Sequence, residues 1–296
     1  MTVISLKRQF SHAVDDTPED IVLDINVEDL SFGYGKDDKA TPVLKDLKLR
    51  INGPQLISIL GPNGVGKSTL IHCMNKILSP TSGKVFIGER DLSEISIKDL
   101  SKHMGYVPYA SSDSFPLSVT DTILMGRHPH SKWGKLDDDL RVVHKTLQMI
   151  GIEELADRSF NELSAGQHQK VMLARGLAQE PKILLLDEPT SNLDIRYQLE
   201  ITRLLRDLSH SQKMIVLMIS HDINIASKYS DNIIMLHGGN IYATGTPNEV
   251  ITKENIEHVY EVGCNVIEDD GRPHVILKDN VTAEPFDEPH SVVSVS

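Results

Sequence analysis

The chain has 296 residues, 40% of them hydrophobic, enough for about two domains or one large domain with an added lobe. Its formal net charge of -12, with charges mostly interspersed, argues against a nucleic-acid-binding surface as the main function. Two isolated cysteines, Cys73 and Cys264, make neither a disulfide framework nor a zinc site, and no apolar run approaches the ~18 residues of a membrane span.

Residues 1–20 are polar and irregular, carry no apolar core of the signal-peptide kind, and predict a mobile arm. Over 21–31, Ile21, Leu23, Ile25 and Val27 alternate with polar residues, a strand pattern. Phe32-Gly33-Tyr34-Gly35 reads as a turn, 36–39 as a charged loop, and 43–49 as a second strand reversed at Asn52-Gly53-Pro54. Leu56-Ile57-Ser58-Ile59-Leu60 reads as a buried strand, and Leu70-Ile71-His72-Cys73-Met74 as the opening of a helix. Between them, Gly61-Pro62-Asn63-Gly64-Val65-Gly66-Lys67-Ser68-Thr69 fits the phosphate-binding pattern G-x-x-x-x-G-K-[ST]. The glycines let the backbone curve so that N–H groups point inward, and the helix N-terminus adds partial positive charge. Lys67 then reaches the β- and γ-phosphates, and the Ser68 hydroxyl suits Mg²⁺. A Gly-rich turn that binds nothing would not explain strand, lysine and serine together.

A short strand follows over 84–87. After Met104-Gly105-Tyr106-Val107-Pro108 the period turns helical, with a short helix over 119–125 and a longer one over 137–150. On the longer one Leu140, Val143, Leu147 and Ile150 share a face. These predict a helical lobe, about residues 105–165, inserted into an α/β core. Leu163-Ser164-Ala165-Gly166-Gln167 opens a further helix. Locally, Ser164-x-x-Gln167 is a capping box ahead of the apolar face Val171, Ala174 and Ala178. The same N-terminus, with free N–H groups and Gly166 allowing close approach, also suits an anion.

The core resumes at Pro181, with strands over 182–186 and 214–219. Ligand sites lie at the carboxyl ends of such buried strands. The first ends in Asp187, suited to Mg²⁺ through water, and Glu188, suited to orienting and deprotonating a water. Ser191-Asn192-Leu193-Asp194 follows, and His221 ends the second strand, where a lone histidine is usually structural. Hairpins are expected around Gly238-Gly239-Asn240 and Asp270-Gly271. Residues 279–296 lack periodicity and predict a loose tail.

In this order the motifs resemble those of the ATP-binding cassette ATPases, over roughly residues 21–251 with a C-terminal extension at 252–278. The resemblance implies an α/β fold: a P-loop core with an antiparallel β subdomain and an inserted α-helical lobe. It implies ATP and Mg²⁺ as cofactors and ATP hydrolysis as the activity. By it, Gly61, Pro62, Asn63, Gly64, Val65, Gly66, Lys67, Ser68 and Thr69 are Walker A. Residues 183–188 are Walker B, with Asp187 joining Ser68 at the metal and Glu188 catalytic. Ser164, Ala165, Gly166 and Gln167 belong to the signature motif, Asp194 to the D-loop; His221 is the switch histidine. Tyr34 is the aromatic that stacks on adenine.

Two positions depart from the family. Ala165 stands where a glycine is usual, which one methyl allows while φ stays negative. Tyr109 follows Pro108 where the family has a glutamine that reaches Mg²⁺ and the attacking water. Tyr109 has no amide oxygen, and three readings stay open: a metal site completed by water, Ser111 or Asp113; a surface for a partner chain; ordinary packing.

Met125-Gly126-Arg127-His128-Pro129-His130, otherwise a polar loop after a short helix, is similar to the G-R-x-P-H segment of importers of iron–siderophore, haem and cobalamin. Residues 245–250 and Val259-Tyr260 are similar to the same group. The implied setting is a homodimer or paired ATPase subunit, peripheral at the cytoplasmic face of the membrane. Its partners there are transmembrane permease subunits and an extracytoplasmic substrate-binding protein, and no nucleic acid. Two rival readings are a soluble cassette ATPase acting on nucleic acid or ribosomes, and a nucleotide sensor with little turnover. One P-loop without a heptad run speaks against the first, and Glu188 against the second.

Overall fold

The computed structural model describes residues 24–35, 41–109, 116–130 and 136–278. The expected arm at 1–20 and tail at 279–296 lie outside the described residues, as do Ser111 and Asp113. The strands are β1 (Ile25–Tyr34), β2 (Thr41–Ile51), β3 (Gln55–Leu60), β4 (Ser82–Ile87), β5 (Arg90–Asp91), β6 (Met104–Val107), β7 (Ile183–Leu186), β8 (Ile215–Ile219), β9 (Asn232–His237), β10 (Asn240–Gly245), β11 (Cys264–Asp269) and β12 (Arg272–Leu277). The helices are α1 (Lys67–Met74), α2 (Ile97–Leu100), α3 (Val119–Leu124), α4 (Leu136–Ile150), α5 (Ala165–Leu177), α6 (Ile195–Ser211), α7 (Ile223–Tyr229), α8 (Pro247–Val250) and α9 (Lys253–Tyr260).

The central sheet has the order β10-β9-β3-β8-β7-β6, with β10 the one antiparallel strand. Strands β7 and β8 are buried along their whole length, which is why they read as unbroken apolar runs. The second sheet, β2-β1-β4-β5, is antiparallel and packs with α1 against one face of the central sheet. Strand β1 runs on through the Phe32-Gly33-Tyr34 segment expected as a turn, because Phe32 and Tyr34 pair with Leu44 and Thr41 of β2. Helices α3, α4 and α5 share a core with the other face of β7 and β8. Residues 105–107, within the stretch expected as helical lobe, belong to β6 and pair in parallel with β7.

Helix α4 corrects one expectation. Val143, Leu147 and Ile150 are buried, but Leu140 is 38% exposed. Its neighbour Asp139 is buried instead, paired with Arg127 from the turn after α3. At the C-terminus, α9 and the β11–β12 hairpin cover β9. Asn224 of α7 bonds both the N–H and the carbonyl of Val275, holding the hairpin against the cassette. Among the described residues no helix is long and apolar enough to cross a membrane.

Candidate active site

The loop from Gly61 to Thr69 joins β3 to α1, so its shape is set by a buried strand on one side and a buried helix on the other. Gly66 caps α1 at φ +102, where a Cβ would also lie 2.6 Å from Leu44 Cδ2, so only glycine fits. The Lys67 ammonium folds back over the loop and donates to the carbonyls of Gly61, at 2.8 Å, and Pro62, at 2.9 Å. Burial lowers its pKa, opposed by Glu188 and Asp187. The Tyr34 hydroxyl lies 3.4 Å from Thr69 Oγ1, while its half-exposed ring stands edge-on to Phe32. That leaves a flat aromatic surface beside the loop, of the kind a purine stacks on.

Two carboxylates face the loop from the end of β7. The Ser68 hydroxyl donates to Asp187 Oδ1 at 3.0 Å, so an alcohol and a carboxylate oxygen meet, the hard donors Mg²⁺ prefers. Burial pushes Asp187 above the usual carboxylate range, and the Ser68 hydrogen bond offsets only part of this. Glu188 is shifted the other way. Burial would raise it, but hydrogen bonds from His221 and Ser191 and the charges of His221 and Lys67 hold it below the usual range. His221 Nε2 is 2.5 Å from Glu188 Oε1, and Ser191 Oγ is 2.9 Å from Oε2, so both carboxylate oxygens are engaged. Glu188 sits at φ +50, a left-handed conformation that costs a glutamate of the order of 1–3 kcal/mol.

Ser164, Ala165, Gly166 and Gln167 open α5 with the expected capping box: Ser164 N–H donates to Gln167 Oε1 at 3.1 Å, and Gln167 N–H to Ser164 Oγ at 3.4 Å. Among the described residues no hydrogen bond joins them to the P-loop. Gly166 serves a neighbour as well as any ligand, since a Cβ there would lie 2.8 Å from the Tyr197 ring of α6. Asp194 caps that helix, accepting from Tyr197 N–H at 3.0 Å. Tyr109, half-exposed beyond β6, accepts a 2.7 Å hydrogen bond from Asn192 Nδ2.

The segment 125–130 has a fastening role. A Cβ on Gly126 would lie 2.1 Å from the Arg175 carbonyl, so the turn after α3 touches α5 only because the residue is glycine. Arg127 donates to Asp139 Oδ1, the Ala178 carbonyl and Glu180 Oε2, and His130 bonds the Gln179 carbonyl at 2.9 Å. Four residues make contacts here that the sequence does not announce. Ser191 and Asn192 belong to the 191–194 stretch without any sign of their partners, Tyr197 carries no signal, and Tyr260 stands out only by its similarity to the importer group. The Tyr260 hydroxyl accepts from the Gly61 N–H at 3.0 Å across 199 positions, which no local pattern announces.

The profile described as ABC transporter matches residues 44–191, the span holding the P-loop, α5 and the Asp187–Glu188 strand end. An uncharacterised ABC transporter ATP-binding protein of Methanocaldococcus jannaschii is 43% identical over 252 residues, covering 85% of this chain and 97% of its own length. The iron(3+)-hydroxamate import ATP-binding protein of Bacillus subtilis is 36% identical over 247 residues, covering 83% of this chain and 90% of its own. A dimeric ATP-binding cassette solved in a post-hydrolysis state with ADP and Pi superposes with a TM-score of 0.67 at 27% identity. It covers 75% of this chain and 98% of that one.

Proposed function

This chain belongs to the ABC transporter family as an ATP-binding cassette ATPase, and from that premise we propose that it powers a membrane importer of a metal chelate, an iron–siderophore, haem or cobalamin. The observation that carries the ATPase chemistry is the convergence at the P-loop: Ser68 on Asp187 beside the Glu188–His221 pair. In this reading ATP lies with its phosphates along Gly61–Thr69, its β- and γ-phosphates on Lys67 and its adenine on Tyr34. Ser68 and Asp187 would hold Mg²⁺, which when bound would neutralise developing phosphate charge. Glu188 is the general base. While His221 and Ser191 occupy its two oxygens it is a weak base. Transfer of the His221 hydrogen bond to the γ-phosphate frees one oxygen and raises its basicity toward the attacking water.

The signature residues Ser164, Ala165, Gly166 and Gln167 complete the site of a second cassette. The dimeric assembly of the solved cassette supports this. The permease and the extracytoplasmic binding protein stand outside this chain, which works peripherally at the cytoplasmic face. The import role of the Bacillus subtilis relative supports the direction of transport. The test is uptake of radiolabelled iron–siderophore, haem and cobalamin by cells lacking the gene, complemented with wild type or Glu188→Gln. Loss of one of the three, restored only by wild type, is expected. Undiminished uptake of all three overturns the import reading.

A further inference from the structure

We propose that Tyr109 is a positioning residue: its hydroxyl, by taking a hydrogen bond from Asn192, latches the loop that holds Glu188, an inference that rests on the ATPase reading above. The contact is short, 2.7 Å, and joins positions 83 residues apart. Both partners leave the sheet side by side. Val107 of β6 pairs with Leu186 of β7, and the Val107 carbonyl accepts from Asp187 N–H at 2.9 Å, so the roots of the two loops are fixed. Two residues beyond that anchor stands Tyr109, where the chain sets off toward the helical lobe.

Its partner loop has a specified shape. Glu188 has φ +50 and Asn192 φ +64, left-handed values that asparagine accepts far better than most side chains. Gln198 of α6 ties the loop's far end, donating to the carbonyls of Thr190, at 3.3 Å, and Leu193, at 3.0 Å. Backbone bonds from Ser191 N–H to the Glu188 carbonyl, at 3.2 Å, and from Leu193 N–H to the Thr190 carbonyl, at 3.4 Å, close the turn, and two consecutive side chains reach out from it. Ser191 turns to Glu188 Oε2 and Asn192 turns to Tyr109. A rotation of the backbone there cannot break one contact without disturbing the other. The Tyr109 hydroxyl thus bears on Glu188 through Ser191, without touching nucleotide. Movement of the lobe would be felt at the catalytic carboxylate along this path. A glutamine, being shorter, would not reach Asn192 from the same backbone position, so tyrosine has a task here that the family's residue does not.

The test compares Tyr109→Phe, Asn192→Gly, Asn192→Asp, Tyr109→Phe/Asn192→Gly and Tyr109→Phe/Asn192→Asp in the full-length chain, reading kcat and KM for MgATP. Glu188 faces Lys67, Asp187 and His221 as well as Ser191, and none of these is changed. Tyr109→Phe and Asn192→Gly should each lower kcat by about three- to tenfold, the scale of one net hydrogen bond, with KM within about twofold. The Tyr109→Phe/Asn192→Gly double should be no worse than either single. Asn192→Asp should stay near wild type, since the tyrosine O–H can donate to a carboxylate, and Tyr109→Phe/Asn192→Asp should not. A Tyr109→Phe enzyme with wild-type kcat, one changed only in KM, or singles whose effects multiply, overturns the latch. A wild-type chain without ATPase activity overturns the ATPase reading instead.

Discussion

Replacing Arg127 by alanine should cost more than any surface substitution in the lobe. Arg127 is 8% exposed, as is Asp139, whose Oδ1 lies 2.9 Å from the guanidinium Nε. Another nitrogen donates to the Ala178 carbonyl at 2.7 Å and to Glu180 Oε2 at 2.8 Å. Truncation strands the Asp139 charge and a carbonyl at the end of α5, while Glu180, 54% exposed, returns to water at little cost. Breaking a buried pair from one side costs about 3–5 kcal/mol, and the exposed Glu180 pair adds at most about 1. At roughly 2–4 °C per kcal/mol for chains approaching this size, Tm should fall by about 6–24 °C. Arg127→Met/Asp139→Leu removes both charges and keeps the volume, so it should recover most of the loss. Thermal and urea unfolding of the three proteins decide the matter. An Arg127→Ala protein within about 1 kcal/mol of wild type, or a double variant no more stable than the single, refutes the account of this segment as a buried fastening.

Three further outcomes follow from contacts at the site. Tyr260→Phe leaves the buried Gly61 N–H without its acceptor, so stability should fall by about 1–3 kcal/mol and ATP affinity with it; an unchanged melt would contradict this. Glu188 has a folded pKa below its unfolded one, so its charge contributes stability above the ordinary glutamate range and loses it as pH falls through the folded value. The stability gap between wild type and Glu188→Gln should therefore hold near neutrality and close in acid, and a gap that widens in acid would refute the assignment. Gly166→Ala puts a methyl 2.8 Å from the Tyr197 ring and should destabilise α5 against α6. Tyr197→Leu in the same chain should relieve it, and an additive loss would show that the clash is not with that ring.

What the sequence disclosed was what it encodes over a few consecutive residues. The P-loop needs its glycines and lysine at fixed spacing, the capping box needs Ser164 and Gln167 three apart, and β7 must be apolar up to Asp187 because both its faces are buried. What stayed hidden depends on which distant segment arrives. Leu140 fits the apolar spacing of α4, yet the buried position is Asp139, because Arg127 comes from another element to neutralise it. Tyr109 signalled only a departure; its partner Asn192 is named by the parallel pairing of β6 with β7. Tyr260 reaches Gly61 because α9 folds back over β9.

We propose Glu188 as the base for ATP hydrolysis, at a site shared between two copies of the chain. The direct measurement is MgATP turnover by Glu188→Gln, with its assembly state followed by size-exclusion chromatography in the presence of ATP. The amide keeps the shape and loses the base, so turnover should fall by about 10²–10⁴-fold while ATP still binds and the protein elutes as a dimer. Turnover within tenfold of wild type, or ATP-bound protein that remains monomeric, would contradict the account.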